Sequence, residues 1–125
     1  MNNLPQSVTG EAYESNEISD KQVLTLPWCP YFGAAADLLS RRWALAILRA
    51  LMAKPLRFNE ISSNIPRITD RILSQRLREL EGAGLVAKPH ARGECYRLTN
   101  RAEELWPVFV AINRWAISVD AAAWR

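Results

Sequence analysis

Residues 67–86 read RITDRILSQRLRELEGAGLV, and the spacing of their apolar and polar side chains decides the fold. The leucines that recur at helical spacing are Leu73, Leu77 and Leu80. The polar residues on the opposite face are Arg71, Ser74, Gln75 and Arg78. Because positions i, i+4 and i+7 share one face of a helix, this pattern predicts an amphipathic helix whose outer face carries no acid.

Both ends of this helix carry termination signals. Thr69 or Asp70 can cap its first turn, because their side-chain oxygens accept hydrogen bonds from free backbone N–H groups. Gly82 and Gly84 follow the last leucine, and glycine is a common residue at the end of a helix. The sequence therefore predicts one complete helix between these signals.

Length and composition predict a single globular domain. The chain has 125 residues, of which 49% are apolar, which is enough for a core without disulfides or a metal. No apolar run approaches the ~18 residues that a membrane-spanning helix needs, so we predict no membrane partner. The N-terminus has neither the basic cluster nor the apolar core of a secretion signal. Cys29 and Cys95 are too few for a disulfide framework, so we expect a cytoplasmic protein with reduced thiols.

The net charge of +3 is unevenly distributed along the chain. Residues 1–27 contain one Lys and four acids, whereas residues 41–101 contain thirteen Lys or Arg and five acids. Residues 102–125 contain two Arg and three acids. A basic centre is what a nucleic-acid-binding surface needs, because phosphate contacts supply much of the affinity. Charge asymmetry alone is also compatible with an ordinary solvated surface.

The polar residues 1–26 lack periodicity, and we interpret them as a flexible arm before a domain over residues 27–125. Three helices are predicted at the start of this domain, over residues 31–39, 43–52 and 58–64. Pro30 favours a helix start, because the N–H that it lacks would have no partner in a first turn. Pro55 ends the apolar second helix, and Asn59 is a candidate N-cap of the third.

Two short strand-like runs follow the quoted helix. LVAKP (85–89) and ECYRL (94–98) flank HARG (90–93), which predicts a β-hairpin with a basic tip. The order of elements is therefore helix, helix, polar-faced helix, basic hairpin and a further helix.

The C-terminal residues predict a long final helix over residues 100–123, capped by Thr99 or Asn100. This helix is apolar nearly all round, which indicates burial on more than one side. In a chain this small, we expect its second side to contact another subunit. Pro107 either kinks this helix or marks a late start, and the sequence leaves both open.

This order is that of a winged helix-turn-helix, a mainly α fold with a small β-hairpin. The major groove of DNA admits one helix, whose outer face must present the groups that read base edges. Arg and Gln form bidentate hydrogen bonds with guanine and adenine. The preceding helix would cross the DNA backbone and offer Ser62, Ser63 and Asn64 to phosphates. The hairpin tip would bring Arg92 near the adjacent minor groove or its phosphates.

Several motifs agree, in order and spacing, with one known family. They are Cys29-Pro30, Arg42-Trp43, PLRFNEI at 55–61, LSQRLRELEGAGLV at 73–86, YRLT at 96–99 and LWPV at 105–108. On these motifs, the chain from Cys29 to Trp115 resembles the HxlR-type winged helix-turn-helix family of bacterial transcriptional regulators. It departs from the family in a shorter wing between Leu85 and Thr99 and in a longer, acidic N-terminal arm.

The resemblance implies a homodimer that binds a palindromic operator in double-stranded DNA, with additional N- and C-terminal helices making the dimer contacts. The residues predicted at this interface are Tyr31, Phe32, Phe109, Ile112, Trp115 and Val119. The residues predicted to contact DNA are Ser62, Ser63, Asn64, Thr69, Asp70, Arg71, Ser74, Gln75, Arg78 and Arg92.

Cys29 stands immediately before Pro30 at the predicted start of a helix, where unpaired N–H groups stabilise a thiolate. In several members of the resembled family, a cysteine at this position senses oxidants or electrophiles. The resemblance therefore implies a small electrophile or oxidant as effector. The alternative is an inert thiol retained for packing, and the sequence leaves both open.

The polar residues of the quoted helix have alternative interpretations. Arg71, Gln75 and Arg78 would be a solvated face in a helix that binds nothing. Arg76 lies at the flank of the leucine stripe, so we predict a structural ion pair, with Glu79 or with an acid elsewhere in the chain, rather than contact with bases.

No catalytic or metal-binding constellation is evident in the sequence. The single histidine, His90, lies at the hairpin tip, and there is no Gly-rich phosphate loop or Ser-His-Asp set. We therefore expect no enzymatic activity, no cofactor and no metal. A winged helix used only as a protein-interaction module is the alternative function. Such a module would more often carry apolar or mixed-charge residues on the outer face of residues 71–78.

Overall fold

The computed structural model describes residues 19–25 and 27–124 and divides after Arg41 into two compact units. The predicted arm lies largely outside the described residues. Its described end contains a six-residue helix, α1 (Asp20–Thr25), in a segment predicted to have no regular structure. A helix this short has too few residues for a periodic apolar pattern. The boundary between arm and domain therefore stays a prediction.

The first unit contains α2 (Pro30–Leu39), which begins at the predicted proline. Cys29 is its N-cap, and the Cys29 Sγ accepts a hydrogen bond from the Phe32 backbone N–H at 3.4 Å. The rings of Trp28 and Phe32 meet edge to face, with centroids 6.3 Å apart. A Cβ on Gly33 would lie 2.6 Å from the Trp28 ring, so the close approach of the indole requires glycine here.

Three helices build the core of the second unit: α3 (Ala44–Ala53), α4 (Phe58–Asn64) and α5 (Asp70–Gly82). The largest fully buried side chains of the described residues are Ile47, Leu48, Ile61, Leu73, Leu77 and Leu80. All of them come from these three helices, so the leucine stripe predicted for residues 73–80 is confirmed.

The N-cap of α4 differs from the prediction, although the helix has the predicted bounds. Arg57, not Asn59, is its N-cap, so the helix begins at Phe58. The Glu60 carboxylate accepts a hydrogen bond from the Arg57 backbone N–H at 2.9 Å. A carboxylate in the first turn thus satisfies a free N–H group, which is why the helix starts without a short polar cap.

A small wing follows α5. It consists of β1 (Val86–Ala87) and β2 (Arg97–Leu98), which pair antiparallel with Val86 opposite Leu98 and Ala87 opposite Arg97. Leu56 adds a bridge to Tyr96 through two backbone hydrogen bonds of 2.8 and 3.1 Å. The short extended segment before α4 is thereby joined to the edge of the wing.

The predicted final helix is divided in two, so the prediction of one continuous helix is wrong. The structure contains α6 (Asn100–Glu103) and α7 (Trp106–Ser118), followed by a 3-10 turn over Ala121–Trp124. Thr99 caps α6 by accepting a hydrogen bond from the Ala102 N–H at 3.3 Å. Pro107 lies in the first turn of α7, so it marks a late helix start and not a kink.

The described residues thus confirm a mainly helical fold with one two-stranded antiparallel hairpin. No helix among residues 19–25 and 27–124 has the length and apolar character needed to cross a membrane.

Candidate nucleic-acid interface

Helix α5 is positioned by its cap and by its buried side. The Thr69 hydroxyl accepts a hydrogen bond from the Ile72 N–H at 3.2 Å, which fixes the first turn. Leu73, Leu77 and Leu80 are each 2% exposed or less. Because this side is held in the core, the opposite side of the helix must face outward.

The outward side carries three long polar residues, Arg71, Gln75 and Arg78, which we term the reading face. They are spaced i, i+4 and i+7 and all three are exposed. In residues 27–124, none of their side chains forms a hydrogen bond or an ion pair within the chain. Ser74 lies beside them and is half-buried. Five guanidinium N–H groups per Arg and both ends of the amide are therefore available to a ligand.

Arg76, on the same helix, has a different environment. Its Nε donates to the Arg42 carbonyl oxygen at 2.8 Å, and its Nη1 lies 3.4 Å from the Glu79 carboxylate. Its side chain is only 16% exposed. The predicted structural ion pair with Glu79 is confirmed, and Arg76 does not belong to the reading face.

The polar side chains of α4 are engaged inside the protein. The Ser62 hydroxyl donates to Asp70 Oδ1 at 3.2 Å and so joins α4 to the first turn of α5. The Ser63 hydroxyl donates to the Asn59 carbonyl at 2.9 Å, and the Asn64 amide donates to the Glu60 carbonyl at 2.8 Å. To donate to a phosphate, each of these groups would have to exchange its internal partner.

The tip of the wing is closed by a single carboxylate. The same Glu94 oxygen, Oε2, accepts hydrogen bonds from the backbone N–H groups of His90 at 3.0 Å and Ala91 at 3.2 Å. These bonds, the one from His90 first, lower the pKa of the Glu94 carboxyl below its usual value. Gly93 turns the chain with a φ of 88°. Arg92 lies between these residues, is exposed and has no hydrogen bond or ion pair with any described residue.

The base of the wing also contacts α5. Lys88 Nζ lies 3.7 Å from Glu81 Oε1, at the C-terminal end of the helix. This ion pair is exposed, so it adds little to stability. It does show that the wing and α5 lie side by side on one surface of the second unit.

Sequence reasoning missed one basic residue near this surface. Arg67 is exposed and lies in the turn between α4 and α5, with a φ of 68°. The signal that could have identified it is the Pro66-Arg67 pair between two predicted helices, because Pro favours the second position of a turn.

Helix α7 presents a second exposed surface, which is apolar. Val108, Ile112 and Trp115 are 41%, 44% and 61% exposed, and their i, i+4 and i+7 spacing places them on one side. We term these three residues the α7 face. Among the other residues predicted at a dimer interface, Tyr31, Phe109 and Val119 are half-buried, whereas Phe32 is exposed. No residue of α7 is buried within the chain, so the predicted burial of this helix is absent from the single chain.

In the described part of the chain, the cysteines and other candidate ligands do not form a metal site. Cys29 and Cys95 are both free thiols and half-buried. Among the described residues, no three or more His, Cys, Asp or Glu side chains cluster in a way that could hold a metal ion.

The chain matches the model of a known protein family. The HxlR-like helix-turn-helix family matches residues 38–122. YvaP of Bacillus subtilis (strain 168), an uncharacterized HTH-type transcriptional regulator, is 39% identical over 93 residues. That match covers 70% of this chain and 85% of YvaP.

Two solved structures of a second B. subtilis protein, YodB, resemble the chain. The quinone-bound form is similar at a TM-score of 0.66 with 36% identity, and the match covers 73% of this chain and 100% of that one. The diamide-treated form is similar at a TM-score of 0.62 with 35% identity, and the match covers 73% of this chain and 94% of that one.

Proposed function

The chain belongs to the HxlR-like helix-turn-helix family and is a DNA-binding transcriptional regulator, and from this we propose that α5 reads a palindromic operator in the major groove. The observation that carries the proposal is the reading face. It consists of three exposed side chains without internal partners, opposite a fully buried leucine stripe.

The chemistry of the reading face fits base recognition. A guanidinium donates two parallel hydrogen bonds to O6 and N7 of guanine, and a Gln amide pairs with N6 and N7 of adenine. Arg71 and Gln75 therefore supply base contacts in this proposal, with Arg78 one further turn along the helix. Thr69 and Ser74 flank them and can bind nearby phosphates or base edges through their hydroxyl groups.

The other residues that were predicted to contact DNA have less direct roles in this proposal. Ser62, Ser63 and Asn64 would donate to phosphates after exchanging their internal partners. Asp70 is negatively charged and holds Ser62, so in this proposal it orients α4 and does not itself bind phosphate. Arg92 at the wing tip would contact the neighbouring minor groove or its backbone.

We propose that the protein acts as a homodimer through the α7 face. An exposed strip of Val, Ile and Trp is typical of a subunit interface. Two-fold symmetry would present two copies of α5 to successive major grooves, about one helical turn, ~34 Å, apart. A palindromic operator is the DNA counterpart of that symmetry.

We also propose that Cys29 responds to a small electrophile or oxidant. Support comes from YodB, whose solved structures include quinone-bound and diamide-treated forms. In the reaction with a quinone, the Cys29 sulfur adds to a ring carbon, and the C–S bond forms as the ring C=C π bond opens toward the conjugated carbonyl. The oxygen of that carbonyl takes up a proton from solvent, and the proton on the attacked carbon then shifts to the second oxygen, which gives a hydroquinone thioether. A substituent at the start of α2 would alter the dimer contacts of the N-terminal helices, and DNA would be released.

The test begins with selection of the genomic fragments that the purified protein binds. We place the protein in the cytoplasm, where it would meet the same DNA. Arg71→Ala and Gln75→Ala should each lose about 1–3 kcal/mol on the selected site and relax preference at one base pair. Random DNA should be bound almost as before. An equal loss on selected and random DNA would contradict base reading by this helix.

A further inference from the structure

The turn between α4 and α5 contains an arginine with a left-handed backbone. Arg67 has a φ of 68° and follows Pro66. The Ile68 N–H closes the turn on the Ile65 carbonyl at 3.5 Å. Proline at the second position and a positive φ at the third are features of a type II turn, where glycine is the usual third residue. A residue with a Cβ is sterically unfavourable at this position.

Contacts among the described residues do not explain why an arginine occupies this strained position. Its side chain is exposed, and within the described part of the chain its guanidinium forms no hydrogen bond or ion pair. The apolar anchors of the turn are its neighbours, since Ile65 is buried and Ile68 is half-buried. No hydrogen bond or ion pair with the described residues offsets the strain at Arg67. Strain of this kind is commonly found at functional positions.

The position of Arg67 indicates the ligand. It lies two residues before Thr69, the N-cap of α5, and four residues before Arg71 of the reading face. In helix-turn-helix proteins, the N-terminal residues of the second helix contact base edges while the first helix crosses the sugar-phosphate backbone. A free guanidinium in the turn between the two helices would therefore lie nearer to phosphates than to base edges.

We propose that Arg67 binds a DNA phosphate at the edge of the groove that α5 enters. This contact explains why arginine occupies a position where glycine would relax the turn. This inference rests on the proposed placement of α5 in the major groove. It adds a contact that supplies affinity without sequence preference, because phosphates are the same at every base pair.

Three substitutions separate the charge of Arg67 from its strain. Arg67→Gly removes the charge and relaxes the turn, Arg67→Ala removes the charge and keeps the Cβ, and Arg67→Lys keeps both. Arg67→Gly should melt at a higher temperature than the other two variants and the unsubstituted protein. The gain in stability ensures that weaker DNA binding by Arg67→Gly cannot be attributed to unfolding.

DNA binding should follow charge alone. Arg67→Gly and Arg67→Ala should both bind selected and random DNA about tenfold more weakly per protomer, and the slope of log affinity against log salt should fall by about 0.9 per protomer. Arg67→Lys should keep the slope. Arg114→Ala, an equal loss of charge on α7, should leave affinity and slope nearly unchanged.

The outcomes distinguish this inference from the function on which it rests. If Arg67→Gly binds DNA as tightly as the unsubstituted protein while Arg71→Ala loses preference for the selected site, α5 reads DNA and the phosphate contact is wrong. A loss confined to the selected site, with an unchanged salt slope, would likewise overturn the phosphate contact. If no variant or parent protein distinguishes selected from random DNA, the proposed function itself fails.

Discussion

The Nε of Arg76 donates a 2.8 Å hydrogen bond to the carbonyl oxygen of Arg42, which directly precedes the N-cap of α3. That N-cap, Trp43, has a left-handed φ of 76°, and the Arg42 guanidinium stacks 4.8 Å above its ring. Arg76 thus joins α5 to the start of the central helix. Of the three arginines on α5, one serves the fold, whereas the two on the reading face are free to bind a ligand.

Arg76→Ala should therefore destabilise the protein by about 1–2 kcal/mol, because it removes a charged hydrogen bond at a half-buried site. Arg78→Ala removes the same side chain from an exposed position and should change the free energy of unfolding by less than about 0.5 kcal/mol. Denaturant unfolding of the two variants measures this difference. Operator binding should show the opposite order, with the larger loss for Arg78→Ala. Equal destabilisation by both substitutions would mean that the Arg42 contact contributes nothing.

Ile112→Glu should convert the proposed dimer into a monomer at micromolar concentration, since it places a charge in the middle of the α7 face. Sedimentation measures the mass, and operator affinity should fall by about 100-fold or more as the second half-site contact is lost. Ile112 is preferable to Trp115 for this test because the Trp115 ring also packs against Trp124, with centroids 5.3 Å apart. Arg114→Glu, on another side of the same helix, is the control and should remain dimeric. A monomeric parent protein would contradict the interface.

Operator binding should weaken when the protein is treated with diamide or a quinone, and Cys29→Ser should abolish this response. The Sγ that caps α2 is the atom modified, so the product cannot accept the hydrogen bond from Phe32 in the same way. Cys95→Ser is the matched control and should respond as the parent protein does. If the parent protein binds DNA equally well after treatment, or if Cys29→Ser still responds, Cys29 is a structural cap.

The wing tip should lose its order in acid. Because the pKa of the Glu94 carboxyl is lowered in the folded protein, the two hydrogen bonds are fully present above the usual Glu value of about 4.3 and are lost as the pH falls through the lowered value. The amide proton shifts of His90 and Ala91, followed by NMR from pH 7 downward, should move together only below that usual value. Shifts that move at a higher pH, or that do not move together, would contradict this role of the Glu94 carboxylate.

The role of Glu94 at the wing tip can also be tested by substitution, with DNA binding as the measurement. Glu94→Gln keeps an oxygen acceptor for both N–H groups and removes a negative charge that would face DNA, so operator binding should be unchanged or stronger. Glu94→Ala removes the same charge and also the acceptor. It should bind more weakly than Glu94→Gln because Arg92 is then held on a disordered tip. Equal binding by the two variants would show that the wing tip needs no such bond.

The sequence predicted the elements whose signal is local. The leucine spacing of α5, its cap at Thr69 and the proline at the start of α2 each act within one or two helical turns, so the pattern alone identified them. The reading face followed from the same spacing, because the burial of one side of a helix exposes the other. These features required no knowledge of distant parts of the chain.

The features that the sequence did not predict depend on several competing local signals or on tertiary contacts. Pro107 is compatible with a kink in one long helix and with a late helix start, so the sequence alone could not place the break before Trp106. The cap of α4 comes from a Glu60 carboxylate that satisfies the Arg57 N–H, although Asn59 has the better intrinsic capping propensity. The internal partners of Ser62 and Asn64 likewise become evident only from the folded helices.

In the wing, the residues that set the strand register are not the residues that set its length. Its ladder is fixed near the base, by Val86 with Leu98, Ala87 with Arg97 and the bridge from Leu56 to Tyr96. The residues of the tip lie outside these pairs, and loop-closure entropy rises only slowly with added residues. Insertions or deletions between Lys88 and Glu94 should thus alter how far the wing reaches while every side chain of the ladder stays on its own face. We therefore expect the tip to accept longer loops, and members of the family can differ in the length of the wing while the rest of the domain stays unchanged.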